Sequence, residues 1–179
     1  MERIKVNSNF YLDEFVDPYT YFNEKDNGLS LIDNRLFDKA QLLRYLYGKP
    51  ISINNWWWFY QLKKDDWTID TIIENIEKKT SFNGRKIQKW SGLRTSRSSV
   101  GGKLSAHRKG KAIDPKGNEI EFFKIVKKNA EAFYNLGLRR LEDIRITPGW
   151  LHMDTSERNT KAKSIRVVDL TKATQTIYF

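Results

Sequence analysis

Apolar residues recur at helical spacing in three stretches of the chain. The first stretch begins after Asp33 or Asn34, either of which can cap a helix, and ends at Gly48. The second covers residues 65–79 and starts with acidic residues, which suit the positive end of a helix dipole. The third covers about 118–136 and opens with the Asn-x-x-Glu pattern of a capping box. These stretches predict three helices.

Alternating apolar and polar residues predict short strands, most of them in the second half. Segments rich in Gly, Asn, Ser or charge, at 18–31, 81–89 and 95–102, predict loops. Helices followed by clustered strands predict an α+β fold with a central antiparallel sheet flanked by helices. The length fits a single domain over residues 1–179, with an N-terminal arm of about 1–30. The predicted strands are residues 50–54, 90–94, 144–147, 150–154 and 164–170.

Five aromatic residues follow one another at 56–60. Such a run can form the wall of a substrate groove or pack in the core. Because large rings bury much apolar area, we favour the core.

The composition limits the kinds of site, location and partner that the protein can have. The chain has no cysteine, which excludes disulfides and thiolate metal sites. No apolar run approaches the roughly 18 residues of a membrane span, and the N-terminus lacks the apolar segment of a signal peptide. The net charge of +10 indicates an anionic partner, such as nucleic acid, an anionic cell-wall polymer or acidic lipid, and the alternative for any single basic residue is solubility alone.

The chain has only two histidines, and each lies in a motif with an aspartate. His107 and Asp114 belong to a segment that begins at Ser105, and His152 lies in the sequence Trp-Leu-His-Met-Asp at 150–154. Histidine nitrogen and carboxylate oxygen are common zinc ligands, and three protein ligands with one open position are typical of a catalytic zinc. We therefore predict a Zn²⁺ site formed by His107, Asp114 and His152.

Strand geometry extends this prediction to the neighbours of His152. In a strand, Trp150, His152 and Asp154 share one face, while Leu151 and Met153 face the core. Asp154 then lies beside the metal, either as a general base or as an acceptor for the free ring nitrogen of a histidine ligand. Within the two motifs, Ser105 is predicted to form hydrogen bonds around the site, and Ser105 and Trp150 to contact substrate.

The spacing Ser-x-His-x-x-Gly-x-Ala-x-Asp, followed far downstream by Trp-x-His-x-Asp, resembles the LAS-type zinc peptidases. These include D-alanyl-D-alanine carboxypeptidases, L-alanyl-D-glutamate endolysins and the related zinc-binding hedgehog signalling domain. The chain looks most like the phage-type, C-terminal-domain branch of this family. Residues 9–15 resemble its F-x-L-x-E-F arm, 51–56 its strand before the site, and 91–94 its Ser-Gly-x-Arg element.

The resemblance implies a hedgehog/DD-peptidase-like fold and a phage lysis or entry protein that cleaves bacterial peptidoglycan stems. It implies the same three zinc ligands, and Arg94 as the group that binds the scissile carbonyl. It places the protein in the host cytoplasm before lysis or in the virion. One position departs from the family pattern: Gly149 stands where many members carry the carboxylate that acts as general base. Asp154 is the first substitute and Glu142 the second.

Two other functions compete with a peptidase. A non-catalytic cell-wall-binding or virion module on the same fold is favoured by the missing carboxylate at Gly149. A nucleic-acid-binding protein is favoured by the charge and by five basic residues interleaved with aromatics, but it leaves the His-Asp spacing unexplained and ranks last. These basic residues are Arg94, Arg97, Arg108, Lys109 and Lys111.

Overall fold

The computed structural model of the chain describes residues 2–100, 102–156, 163–169 and 172–178. Within these ranges the chain forms helices between residues 12 and 135 and the main sheet between residues 112 and 178. None of the helices described there is long and apolar enough to cross a membrane. The α-helices are α1 (Pro18–Glu24), α2 (Arg35–Tyr47), α3 (Trp57–Lys63), α4 (Ile69–Lys78), α5 (Glu119–Lys128) and α6 (Ala130–Asn135), and the 3₁₀ segments are Leu12–Glu14, Lys25–Leu31 and Ala106–Lys109.

The first two predicted helices are confirmed. Helix α2 buries Leu36, Ala40 and Leu43 on one face, and Gly48 ends it with a left-handed backbone at φ 71°. Helix α4 lies within the predicted 65–79 and starts after Thr68, whose side chain accepts a hydrogen bond from a backbone N–H of the first turn. Apolar spacing therefore predicts the positions of both helices correctly, whereas the predicted side-chain cap of α2 at Asn34 is not formed.

The third predicted helix is two helices, α5 and α6, with a break at Asn129. The side-chain amide of Asn129 donates to the carbonyl of Ile125 at 2.8 Å, and its backbone leaves the helical region. The buried face of the two helices is formed by Phe122, Val126, Ala130 and Phe133, whereas Ile120 is exposed.

Residues 18–31, which we predicted to be a loop, are helical instead. The side chain of Asp17 accepts a hydrogen bond from the N–H of Thr20 at 3.1 Å and caps α1. Pro18 occupies the first helical position, where no N–H is needed. The Asp-Pro pair is therefore a helix start, which the turn-forming residues of this stretch obscured.

The main sheet has five strands in the order β3–β5–β4–β6–β7. Its neighbouring strands are antiparallel except for β4 and β6, which are parallel. The α+β class is therefore confirmed, with a mixed sheet where we predicted an antiparallel one. A separate hairpin, β1 with β2, lies within the predicted loop at 81–89. The strands are β1 (Ser81–Phe82), β2 (Arg85–Lys86), β3 (Ala112–Ile113), β4 (Arg140–Glu142), β5 (Met153–Asp154), β6 (Ser164–Asp169) and β7 (Lys172–Tyr178).

Two strand predictions are confirmed in part. Strand β5 lies within 150–154, and β6 covers 164–169, while Leu170 lies outside the described residues. Strand β7, Lys172–Tyr178, is not among the predicted strands.

The other three strand predictions are wrong. Residues 144–147 form turns, and β4 comes just before them. Residues 50–54 form a single bridge, between Ser52 and Lys116, and 90–94 form no strand. Both segments approach the sheet through isolated backbone bonds, so a short alternation of apolar residues is not enough to predict a strand here.

The aromatic run at 56–60 packs in the core, as predicted. Trp56, Phe59 and Tyr60 are buried, and the indole N–H of Trp56 donates to the Val16 carbonyl at 3.0 Å. The Trp56 ring also contacts Tyr21 of α1, with ring centroids 5.6 Å apart. The run therefore joins the N-terminal residues to the body of the domain.

Lys39 is an unusual core residue because its side chain is fully buried on the inner face of α2. Its ammonium donates to the Leu136 carbonyl at the end of α6, at 2.8 Å. Burial disfavours the charge and lowers the pKa of Lys39 from 10.5 to about 7, although nearby Asp33 opposes this shift.

We expect the variant Lys39→Met to be more stable than the wild type at pH 7, by about 1–3 kcal/mol after the lost bond to Leu136 is counted. The unfolded chain keeps its proton up to a pKa of 10.5, whereas the folded protein releases it near 7. The wild type therefore gains stability from this group as the pH rises between these values, and the difference between the two proteins should shrink. Denaturant unfolding at both ends of this range, beside the exposed control Lys127→Met, measures it. A difference that does not change with pH would contradict the prediction.

Candidate metal centre

The first motif brings His107 to the sheet through a tight turn. His107 lies in the 3₁₀ segment Ala106–Lys109, which ends at Gly110 with a left-handed backbone at φ 63°. A Cβ atom at Gly110 would overlap the carbonyl oxygen of Leu31, so a larger residue does not fit. The chain then enters β3 and reaches Asp114. The glycine thus lets the His-Asp spacing close on one point.

Three side chains meet there, His107, Asp114 and His152, and each residue is at most 4% exposed. Nε2 of His107 lies 3.1 Å from Oδ1 of Asp114 and 3.2 Å from Nδ1 of His152. That Nδ1 lies 2.9 Å from the same Asp114 oxygen. The pairing of β3 with β5 brings these distant positions together. The three residues that the sequence singled out are therefore neighbours in the fold.

The hydrogen bonds of His107 determine which of its ring nitrogens directs a lone pair at the other two ligand residues. Its Nδ1 lies 2.7 Å from the Gly92 carbonyl oxygen, which can only accept. A neutral His107 therefore carries its proton on Nδ1, and Nε2 presents a lone pair to Asp114. A lone pair that faces a carboxylate oxygen in the protein interior is unfavourable unless a cation lies between them.

In His152 the two ring nitrogens have the opposite roles: Nδ1 lies at the cluster, and Nε2 faces away from it. Its Nε2 faces Oδ2 of Asp154 and Nη2 of Arg140, each at 3.4 Å. Only the tautomer with the proton on Nε2 leaves Nδ1 free to bind a metal, and Asp154 is then the acceptor. Carboxylates commonly support metal-binding histidines in this way.

The distances between the three ligand atoms suit a small divalent cation. Zinc binds histidine nitrogen and carboxylate oxygen at about 2.0–2.2 Å, so tetrahedral ligands lie about 3.3–3.6 Å apart. The observed separations of 2.9, 3.1 and 3.2 Å are slightly shorter, so a small outward movement of the side chains would accommodate the ion. The group formed by His107, Asp114 and His152 could therefore hold a metal ion.

Burial and the contacts among Asp114, His152 and His107 shift the pKa of each of these residues. Burial would raise the pKa of Asp114, but attraction to His107 and His152 lowers it well below its usual range. Burial opposes a charge on His152, yet its bonds to Asp114 and Asp154 raise its pKa to about 9. Burial lowers the pKa of His107. Asp114 is thus ionised at neutral pH, and protons compete with a metal for the imidazoles.

The segment 91–94 supports the cluster from behind through its backbone. The Ser91 carbonyl accepts from the N–H of Asp114 at 2.7 Å, and the Gly92 carbonyl faces His107. Gly92 itself lies so close to the Phe15 backbone that a Cβ atom there would overlap the Phe15 carbonyl. We predicted this segment as a strand, but its irregular shape lets successive carbonyls reach two ligand residues.

Asp154 lies behind His152, on the opposite side of the ring from the ligand atom. Its carboxylate is fully buried, forms an ion pair with the Arg140 guanidinium and accepts from the N–H of Ser156 at 2.9 Å. Leu151 and Met153 face the core, as the strand pattern predicted. Of the two roles predicted for Asp154, this geometry favours the acceptor for the His152 ring. Its buried, paired carboxylate is poorly placed to act as the general base.

Arg94 and Glu142 lie at the edge of the cluster. Nη2 of Arg94 donates to Oδ2 of Asp114 at 3.0 Å and its Nε to the Trp90 carbonyl, while Nη1 has no partner among the residues that the structure describes.

Glu142 lies opposite His152 across the β4–β5 pair, and its charge acts on both Arg94 and His152. Its carboxylate makes no hydrogen bond or ion pair with the described residues. Of the two predicted bases, Glu142 is therefore the one whose carboxylate has no partner in the described parts of the chain.

Lys116 is a site residue that we did not predict from the sequence. Its ammonium lies 4.5 Å from the centre of the half-buried Trp150 ring, and the two residues are bridged through their backbones. Burial lowers the pKa of Lys116, Asp114 opposes this shift, and Arg94 adds to it. The i, i+2 spacing from Asp114 in extended chain could have revealed it, because such residues share a face.

The Ser105 side chain does not form the hydrogen bonds around the site that we predicted, within the described residues. Its carbonyl accepts from the N–H of Arg108 at 3.0 Å at the start of the 3₁₀ segment. Its hydroxyl has no hydrogen bond within the described parts of the chain.

Two of the arginines proposed for nucleic-acid contact bind other groups of the protein instead. Arg108 donates to the carbonyls of Thr95 and Ser98 at 2.9 and 2.8 Å. Arg97 forms a two-pronged ion pair with Glu77 at 2.6 Å. These contacts hold the 95–100 segment against the domain and leave these guanidinium groups less available for phosphates.

No family model, curated protein or solved structure matches the chain. The resemblance to LAS-type peptidases therefore stays a prediction that depends on the motifs and on the geometry of the site.

We expect the wild-type protein to bind a divalent metal and the variants His107→Ala and His152→Ala to lose it, because each removes one of three ligands. Elemental analysis of proteins purified in parallel and dialysed against zinc measures the bound metal, and circular dichroism checks that the variants are folded. Equal metal content in all three folded proteins would refute the metal centre.

The variant Asp154→Asn should weaken metal binding about 10- to 100-fold without abolishing it, since the asparagine keeps an acceptor for His152 but loses its charge. Competition with a chelator measures the affinity. Asp70→Asn, an exposed substitution on α4, is the matched control. An affinity equal to that of the control would mean that Asp154 does not support His152.

Proposed function

We propose that this protein is a zinc-dependent peptidase that cleaves peptide bonds in the stems of bacterial peptidoglycan. The observation that carries the proposal is the convergence of three buried lone-pair donors, His107 Nε2, Asp114 Oδ1 and His152 Nδ1, on one point. Two nitrogen ligands and one oxygen ligand without thiolates suit zinc, and three protein ligands are typical of catalytic rather than structural sites.

A zinc ion at this place supplies Lewis acidity, which makes an attacking water more acidic and a peptide carbonyl more electrophilic. The other groups of the reaction come from the chain. The Glu142 carboxylate, unpaired among the described residues and opposite His152, takes the proton from the attacking water. It then passes this proton to the nitrogen of the leaving amine, as the acid form of the same group.

Arg94 stabilises the charge that develops on the substrate. Two of its nitrogens are fixed, by Trp90 and Asp114, so the guanidinium is held in one orientation. Its Nη1 remains available to donate to the carbonyl oxygen of the scissile bond as that oxygen becomes negative. The ion pair with Asp114 keeps this donor beside the metal ligands.

The substrate class follows from the motif resemblance and from the charge. Phage-type members of the resembled family act on cell-wall stem peptides, and a net charge of +10 favours approach to anionic wall polymers. A role in lysis or entry fits both. A non-catalytic wall-binding module is the second candidate, favoured by Gly149, whose backbone lies at φ 91° and which offers no carboxylate.

We expect the metal-loaded wild type to release new amine termini from purified peptidoglycan, and Glu142→Gln to lower this rate about 10²- to 10⁴-fold. Metal content should be unchanged in the variant, since Glu142 is not a ligand. Glu131→Gln, an exposed substitution on α6, is the control and should keep the full rate.

Three outcomes separate the candidates. Release by the wild type and loss in Glu142→Gln support the proposal. Release that survives in Glu142→Gln excludes Glu142 as the base. No release by the wild type at any pH, with binding to the wall intact, supports the non-catalytic module instead.

A further inference from the structure

A cleft lies between the C-terminal end of α2 and one face of α5. Its volume is about 610 Å³, within the usual range for ligand sites. From α5 it is lined by Glu121, Lys124 and Lys128, which follow one another at helical spacing on one face of the helix. Lys49, just after α2, lines this cleft and also a second recess of about 260 Å³ that holds Arg44. The two recesses therefore form one groove around the end of α2.

The charged side chains that line this groove are four cations and one carboxylate: Arg44, Lys49, Lys124, Lys128 and Glu121. The carboxylate of Glu121 lies 3.9 Å from the Lys124 ammonium. Lys49 and Lys128 are exposed and form no ion pair or hydrogen bond within the described residues. Cations at helix C-termini stabilise the helix dipole, but this effect does not require cations from two helices to line one groove. The groove therefore attracts anions.

The arrangement of the lysines suits a ligand with several negative charges along one chain. Lys124 and Lys128 are four residues apart and are neighbours on α5, so they can contact successive charges. Lys49 approaches the same cleft from the end of α2. The groove continues past Lys49 into the second recess, so its cations extend beyond the reach of one small anion.

Two asparagine amides in the cleft leave hydrogen-bonding groups available to a ligand. The side-chain oxygen of Asn118 accepts from the N–H of Glu121 at 3.1 Å, which leaves its amide nitrogen without a partner in the described chain. The amide nitrogen of Asn129 donates to the Ile125 carbonyl at 2.8 Å, which leaves its oxygen as an acceptor. One donor and one acceptor beside the lysines suit a ligand that carries hydroxyl groups.

The groove offers little ring surface for the bases of a nucleic acid. Tyr47 is the one aromatic residue in the larger cleft among the described residues, and its ring meets Phe122 edge to face at 4.9 Å. The Lys49 ammonium lies 6.0 Å from the centre of the same ring. The recess adds a single exposed ring, Tyr45. Because proteins that bind single strands stack successive bases on aromatic side chains, a polyanion without bases fits better.

We propose that this groove binds an anionic wall polymer made of polyol units joined by phosphodiesters. Its lysines contact the phosphates, and the amides of Asn118 and Asn129 contact the hydroxyls. The choice of a wall polymer rests on the proposed function, but the groove shares no residue with the metal cluster and takes no part in cleavage. A chain bound there keeps the protein at the wall while the metal centre acts.

Fluorescence anisotropy with labelled, purified poly(glycerol phosphate) measures this binding over a range of sodium chloride concentrations. We expect the double variant Lys49→Gln/Lys128→Gln to bind about 10- to 30-fold more weakly than the wild type, because each substitution removes a cation that contacts a phosphate. The slope of log affinity against log salt should become shallower by about 1–2. Circular dichroism checks that the variant is folded.

The matched control is Lys25→Gln/Lys127→Gln, which removes the same charge from exposed positions outside the groove and should keep most of the affinity. An equal loss in both double variants would mean that only net charge matters, and it would overturn the proposal. So would the absence of binding by the wild type. Single-stranded oligothymidylate with the same number of phosphates tests the other polyanion. Tighter binding of this DNA, also lost in Lys49→Gln/Lys128→Gln, would assign the groove to nucleic acid instead.

A parallel assay separates failure of this proposal from failure of the proposed function. The metal-loaded wild type is incubated with peptidoglycan from which the wall polymers have been removed. Release of amine termini without binding of poly(glycerol phosphate) would support the peptidase and refute the groove. Binding that is lost in Lys49→Gln/Lys128→Gln, without release of amine termini, would support the groove and refute the peptidase.

Discussion

The structure depends on the close approach of three electron-pair donors in the protein interior. His107, Asp114 and His152 hold their ligand atoms 2.9–3.2 Å apart, and none of the three residues is more than 4% exposed. Such an arrangement is costly unless a proton or a metal ion lies between these atoms, because water cannot solvate them. The groups outside the cluster prevent the rings from turning away: the Gly92 carbonyl fixes one imidazole and Asp154 the other.

The N-terminal quarter of the chain supports this cluster without contributing a ligand to it. The Phe15 carbonyl accepts from the N–H of Leu93 at 2.7 Å and lies against Gly92, which places the Gly92 carbonyl under His107. The Leu31 carbonyl lies against Gly110 in the same way, where the motif turns toward β3. Two glycines therefore let distant backbone segments come close enough to set the position of the ligands. The N-terminal arm predicted at about 1–30 therefore helps to fix the position of the ligand residues.

The sequence predicted features that depend on local spacing and missed those that depend on neighbours in space. The alternation at 150–154 correctly assigned Leu151 and Met153 to the core, because the period of a strand is independent of its partners. The segment 90–94 has the same apolar character, but its backbone bonds go to Asp114 and Phe15 rather than to a strand. Tertiary contacts decided its conformation. The ligand set was predictable because the chain offers only two histidines.

The choice of a candidate general base shows the same limit. A motif search expects a carboxylate three residues before His152, where the chain has Gly149, and next considers Asp154 on the same strand. Antiparallel pairing supplies another source, since residues opposite each other on paired strands lie about 5 Å apart. Glu142 lies opposite His152 in this way on β4, while Asp154 forms an ion pair with Arg140. The pairing on the other side brings Lys116 to Trp150. Cross-strand neighbours, rather than spacing along the chain, therefore place Glu142 and Lys116 next to the motif residues His152 and Trp150.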